Sequence, residues 1–186
     1  MSIEQVLTLK SVLLYIIRNS RQDRRDVYSI VKTAYFAQQI HLAEFGSPIF
    51  EDKISALPFG PVPSAMYDIL KIARGDVSVL GFKSKQILAF ASSAIGFSDE
   101  RFLAKEQPDM DYLSASDIKA LDASIRKVSK MSFDEIKATT HGEEWARAFN
   151  SKDKTLDSIA IAREGGACDA MLSYLLSNME LQNALG

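Results

Sequence analysis

The stretch of sequence that decides the fold is residues 31–63, VKTAYFAQQIHLAEFGSPIFEDKISALPFGPVP. In its first half Val31, Tyr35 and Leu42 follow one line of a helix, and polar residues such as Lys32 and Gln38 only briefly interrupt the apolar surface. A helix that is apolar on most sides is normally surrounded by other elements. We therefore predict a buried central helix over about residues 27–45.

The helix is expected to end at Gly46, because glycine adopts left-handed dihedrals easily and Pro48 prevents continuation. Residues 54–57 (ISAL) have the composition of a short strand. Pro61 and Pro63 fix φ twice, which predicts a rigid corner at residues 60–63. Pro63 also suits the first turn of a helix, which we expect to extend to Ala73.

The stretch resembles the Panacea, or SocA-like, domain family, earlier described as phage-associated. The family pattern is a Tyr-rich helix ending in His-Leu, a Gly-x-Pro-Ile break, an Ala-x-x-x-Gly-Pro-Val corner and a Tyr in the next helix. A second block, residues 113–149, resembles the distal half of the family. The resemblance weakens at about residues 77–97, as if by an insertion, and beyond Asn150. The ten positions that we take as motif residues, structural or partner-binding, are Tyr35, His41, Gly46, Pro48, Gly60, Pro61, Val62, Tyr67, His141 and Trp145.

The resemblance implies an antitoxin of a bacterial or phage toxin–antitoxin system. Such a protein neutralises a cognate toxin, encoded beside it, by direct contact. SocA-like members also deliver their toxin to a ClpXP-type protease, so a proteolytic adaptor stays open as an alternative. A third possibility is a phage or mobile-element protein that acts on its host through other contacts.

Length and composition are ordinary for a globular protein. The 186 residues fit one domain, residues 1–186, and the net charge of -2 gives no electrostatic footprint for nucleic acid, so no nucleic-acid partner is expected. The single cysteine, Cys168, is expected to be a buried, reduced thiol. With no signal peptide and no apolar run long enough for a membrane span, a cytoplasmic location is expected. The oligomeric state is left open.

The remaining pattern predicts a mainly α (α+β) fold, a helical bundle with a small antiparallel sheet. Residues 77–82 alternate like a strand, residues 86–97 fit either strand or helix, and residues 101–105 form a strand that is expected to pair with residues 54–57. Ser132 and Glu135 form a capping box, and Trp145 and Phe149 an aromatic pair expected to pack against the central helix. The last two helices are predicted at about residues 154–163 and 167–184.

No catalytic, cofactor or metal motif is present in the sequence. The two histidines, His41 and His141, lack the accompanying ligands of a zinc site, and His41 lies on an apolar helical line. A non-enzymatic protein without cofactors is therefore expected. Four apolar residues of the insertion form a candidate partner surface, although they could equally extend the core: Leu88, Phe90, Ile95 and Phe97.

Overall fold

The computed structural model describes residues 1–76 and 82–185. In this part of the chain nine helices and five short strands follow one another, apart from two short 3-10 turns. They are α1 (Ile3–Asn19), α2 (Val27–Phe45), β1 (Ile54–Leu57), β2 (Gly60–Pro63), α3 (Ser64–Ala73), α4 (Phe82–Ser93), β3 (Ile95–Ser98), β4 (Arg101–Ala104), α5 (Ala115–Lys130), α6 (Phe133–Thr140), α7 (Glu143–Phe149), β5 (Thr155–Leu156), α8 (Ser158–Glu164) and α9 (Asp169–Leu185). The mainly α fold with small antiparallel sheets is confirmed.

The central helix α2 has the predicted bounds. Asp26 caps its start by accepting from the Ser29 backbone N–H at 2.9 Å, and Gly46 ends it with φ +67°. Every residue from 29 to 39 is buried, because α1, α3, α5, α8 and β2 all pack around this helix. Its buried polar side chains have partners: Gln38, for example, donates to the Phe50 carbonyl and accepts from the Ile49 N–H.

The sheet differs from the prediction in its pairing. β1 lies in the middle of a three-stranded antiparallel sheet, ordered β2-β1-β5, and β3 pairs only with β4. The predicted pairing of residues 101–105 with 54–57 is therefore wrong, although the strand itself exists as β4. Pairing β1 with β2 closes a loop of only two residues, which costs far less chain entropy than bringing in a distant strand.

Residues 60–63, predicted as a corner, form the strand β2. Proline in a strand is tolerated at a sheet edge, where the missing N–H breaks no ladder bond, and β2 is an edge strand. The helix α3 begins one residue later than predicted, at Ser64, with Pro63 as its cap residue. The Asp52 carboxylate supplies the missing side-chain cap by accepting from the N–H groups of Ala65 and Met66, at 3.0 and 3.1 Å.

The region of the expected insertion is helix followed by strand. Of the strand predicted at 77–82, residues 77–81 lie outside the described part of the chain, and Phe82 begins α4. Residues 86–97, left open between strand and helix, are α4 up to Ser93 and β3 from Ile95. Asp99 and Glu100, both with positive φ, make the two-residue turn from β3 to β4.

The capping box at Ser132 is confirmed, and Ser114 forms a second one with Asp117. The helix predicted at 154–163 begins only at Ser158, because Thr155 and Leu156 pair with β1. Cys168 is exposed rather than buried, since it precedes α9 in the turn after Gly166.

Candidate functional site

The hairpin of β1 and β2 projects an aromatic side chain at its tip. Pro58 and Phe59 form the loop, and Gly60 follows with φ +94°. Neither loop residue has positive φ, which fits a type I turn followed by a left-handed glycine. The Phe59 side chain at this tip is 58% exposed.

Three side chains from separate parts of the fold contact the carbonyl oxygens of the hairpin. The Trp145 Nε1–H donates to Leu57 at 3.1 Å, and the Lys32 Nζ donates to Pro61 at 2.9 Å. His141 lies between α6 and α7 with Nε2 3.1 Å from the Pro58 oxygen, while its Nδ1 lies 2.6 Å from the Lys137 oxygen. Residues that are 83 and 88 positions apart in sequence therefore meet at this hairpin.

Trp145 packs beside the hairpin, and its packing against α2 stays a prediction. Its ring lies 3.9 Å from His141 and 5.0 Å from Phe149, between ring centres, so the predicted Trp145–Phe149 pair is confirmed. α7, which carries Trp145, packs against β1, β5 and α8. Its position is therefore set by the hairpin and by its own aromatic neighbours.

Lys32 is the most unusual residue of this region, because it is fully buried in the central helix. It forms no ion pair with any residue in the described ranges, and loss of hydration lowers the pKa of its amine to about 7. Its Nζ lies 5.5 Å from the centre of the Tyr28 ring. A side chain on Gly60 would meet this amine, since a Cβ there would lie 2.5 Å from Nζ and 2.7 Å from the Thr140 Oγ1.

An apolar groove of about 390 Å³ opens beside the hairpin, and we call it the hairpin groove. It is lined by the α2 residues Val27, Tyr28 and Val31, by residues 57–59 and 62, and by Tyr67 and Phe133. Phe133, the first residue of α6, is 47% exposed. Its ring centre lies 4.6 Å from that of Tyr28 and 6.2 Å from that of Phe59. Two exposed phenylalanines thus border one depression, an arrangement typical of interaction sites.

Three further motif residues, His41, Gly46 and Pro48, lie at the C-terminal end of α2. His41 is buried and hydrogen-bonded, as predicted: its Nδ1 faces the Ser47 carbonyl at 2.6 Å, and its Nε2 faces Asp117 at 3.1 Å. Gly46 leaves no room for a Cβ, which would lie 2.7 Å from the Tyr174 ring, and Pro48 after it is exposed.

Tyr35 connects the central helix with α7 and α8. Its hydroxyl donates to the Glu164 carboxylate at 2.8 Å, and burial raises its pKa well above the ordinary value. The other Glu164 oxygen accepts from the Trp145 backbone N–H at 3.1 Å, which caps α7. Tyr35 and Trp145 are therefore joined through one carboxylate.

Of the four apolar residues predicted as a partner surface, only Phe90 is exposed, at 54%. Leu88 and Ile95 are buried, and Phe97 is half-buried with its ring 4.8 Å from Phe102. In the isolated chain Leu88 and Ile95 therefore extend the core, which was the alternative left open.

The sequence did not single out Lys32, Phe59 and Phe133 as site residues. For Lys32 the sequence did carry a signal, because a lysine in the middle of an apolar helix is unusual. The phenylalanines had no such signal, because only the folded chain brings the hairpin tip and the start of α6 together. Within residues 1–76 and 82–185 no cluster of three or more His, Cys, Asp or Glu suits a metal, and no helix is long and apolar enough to cross a membrane.

Comparison with known proteins gives one match. The family model described as "Antitoxin SocA-like, Panacea domain" matches residues 30–146, well over half of the chain. No curated protein and no solved structure matches. The matched residues include the whole hairpin groove except Val27 and Tyr28. The helices α1 and α8 lie outside the matched residues and also pack against α2.

Proposed function

Because the chain belongs to the SocA-like Panacea antitoxin family, we propose that it neutralises a cognate toxin, encoded beside its own gene, by direct protein–protein contact. An antitoxin-type role in general follows from the family. The direct mode of action, the neighbouring gene and the toxin itself are the proposed part. We include in the proposal that the protein acts in the cytoplasm, as a single domain, by binding and not by catalysis.

The observation that supports a binding role is the way the matched segment uses its polar side chains. Trp145 and Lys32 donate hydrogen bonds to two carbonyls of one hairpin, and His141 lies against a third. This hairpin presents Phe59 to solvent. A rigid support under an exposed aromatic residue reduces the entropy lost on association. Aromatic residues are enriched at the centre of protein interfaces.

Co-expression tests the proposal. The neighbouring reading frame is expressed in bacteria from an inducible promoter, alone or with this chain carrying an affinity tag. We expect growth arrest with the neighbour alone, restored growth with both, and co-purification of the two proteins. A harmless neighbour, or one that stays toxic and does not co-purify, would contradict the proposal and favour the mobile-element alternative.

The adaptor alternative predicts a different amount of toxin protein in the same cells. If the chain delivers the toxin to a ClpXP-type protease, the amount of toxin protein falls when the two are co-expressed. If the chain acts by direct neutralisation, the toxin accumulates in the complex. Quantitative immunoblotting of the toxin therefore separates the two modes.

A further inference from the structure

We propose that the hairpin groove binds a short segment of the partner protein that inserts a large apolar side chain, offers a backbone carbonyl to the Tyr28 hydroxyl and places a basic residue near Asp134. The inference rests on the proposed function, because it assumes a protein partner, and it specifies which surface and which chemistry the contact uses.

The apolar part of the inference comes from the lining of the groove. Its lining residues are aliphatic or aromatic, and the hydroxyls of Tyr28 and Tyr67 are the two side-chain polar groups among them. Phe59 and Phe133, at 58% and 47% exposure, leave much of their ring surface in water. A partner side chain that fills the groove removes this surface and its own from water, which is the main driving force of association.

The hydrogen-bonding part comes from the Tyr28 hydroxyl. This oxygen is buried and has no hydrogen-bond partner in the described part of the chain. A buried hydroxyl without a partner is uncommon and unfavourable in a folded protein. The Phe133 ring beside it is attached at the first residue of α6 and is half exposed, so it can turn aside and admit an acceptor.

The electrostatic part decides which acceptor fits. Burial raises the pKa of Tyr28, and the nearby carboxylates of Asp134 and Asp26 raise it further, so two negative charges act on this hydroxyl. A carboxylate or phosphate group is repelled there, whereas a neutral backbone carbonyl is not. Asp134 is exposed and pairs with no cation in the described part of the chain, so a lysine or arginine of the partner can approach it.

The test measures the affinity of the purified chain for the purified product of the neighbouring reading frame by titration calorimetry. Tyr28→Phe removes only the unpartnered hydroxyl, so we expect an unchanged or higher melting temperature with about five- to ten-fold weaker binding. Phe133→Ser is expected to weaken binding at least about ten-fold. The matched control is Leu103→Ser, because Leu103 in β4 is similarly exposed, at 43%, but does not line the groove, and its affinity is expected to equal the wild type.

A charge pair tests the basic residue. Asp134→Lys is expected to weaken binding about three-fold or more at low salt, with a smaller difference at high salt. Asp153→Lys changes the net charge equally but lies beside β5, at the opposite edge of the sheet from β2, and is expected to bind normally.

The outcomes are distinguishable. If Tyr28→Phe and Phe133→Ser both bind the partner as tightly as the wild type, the groove inference is overturned while the proposed function stands. Absence of a wild-type complex contradicts the proposed function itself, and the inference with it. A concentration-dependent dimer of the chain alone that Phe133→Ser dissociates assigns the groove to a second copy, which also overturns the inference.

Discussion

Replacing Gly60 by alanine tests whether the hairpin and the buried lysine depend on each other. At φ +94° an alanine carries a strain of about 1–2 kcal/mol. Its Cβ would also lie 2.5 Å from Lys32 Nζ, and this amine is fully buried and cannot swing into solvent. Displacing it breaks the hydrogen bond to the Pro61 carbonyl, which adds about 1–3 kcal/mol. The total expected loss of unfolding free energy is about 2–5 kcal/mol.

Gly75 provides a matched control, because its φ is also +94° and a Cβ there meets nothing within 4 Å. Gly75→Ala is expected to cost only the backbone strain, about 1–2 kcal/mol. Urea denaturation followed by far-ultraviolet circular dichroism measures both variants against the wild type. Equal destabilisation by the two substitutions would refute the packing of Gly60 on Lys32.

Three further substitutions test the surrounding network. Lys32→Met removes an amine whose pKa is about 7 in the folded chain and 10.5 in the unfolded chain. Because the unfolded chain keeps this proton to higher pH, the unfolding free energy of the wild type should rise by about 2–3 kcal/mol relative to the variant from pH 6 to pH 9. A pH-independent difference would contradict this. Asp52→Asn removes a carboxyl group, and burial raises the pKa of this group to about 6. The wild type should therefore lose stability relative to the variant as the pH rises from 4 to 7. Urea midpoints at the two pH values measure this change, and an opposite trend would contradict it. Trp145→Phe keeps an aromatic ring but loses the bond to Leu57, and should cost about 0.5–1.5 kcal/mol in the same denaturation assay; no loss would mean that the bond does not support the hairpin.

Local signals in the sequence predicted much of the helical part of the fold. The bounds of α2 follow from continuous apolar spacing and from Gly46 at its end, both within one stretch of chain. The capping box at Ser132 is equally local, since its two partners are three residues apart. Such local interactions do not depend on contacts with distant parts of the chain.

Non-local contacts explain what the sequence did not predict. Residues 101–105 were predicted to pair with β1, whereas its actual pairing with β5 depends on where residues 155–156 return in space. The same is true of Trp145, whose indole reaches a carbonyl 88 positions away. The hairpin groove combines residues from four separated segments, so none of its exposed phenylalanines could be distinguished from ordinary core residues in advance.

The central claim is that this chain neutralises its partner by direct contact, and growth in a strain without the ClpXP-type protease tests it most directly. Cells express the neighbouring reading frame with and without the chain, and both growth and the amount of the neighbour protein are measured. The account predicts full rescue of growth, with the neighbour protein present at an undiminished level and bound to the chain. Rescue that disappears in this strain but returns when the protease is restored would contradict it.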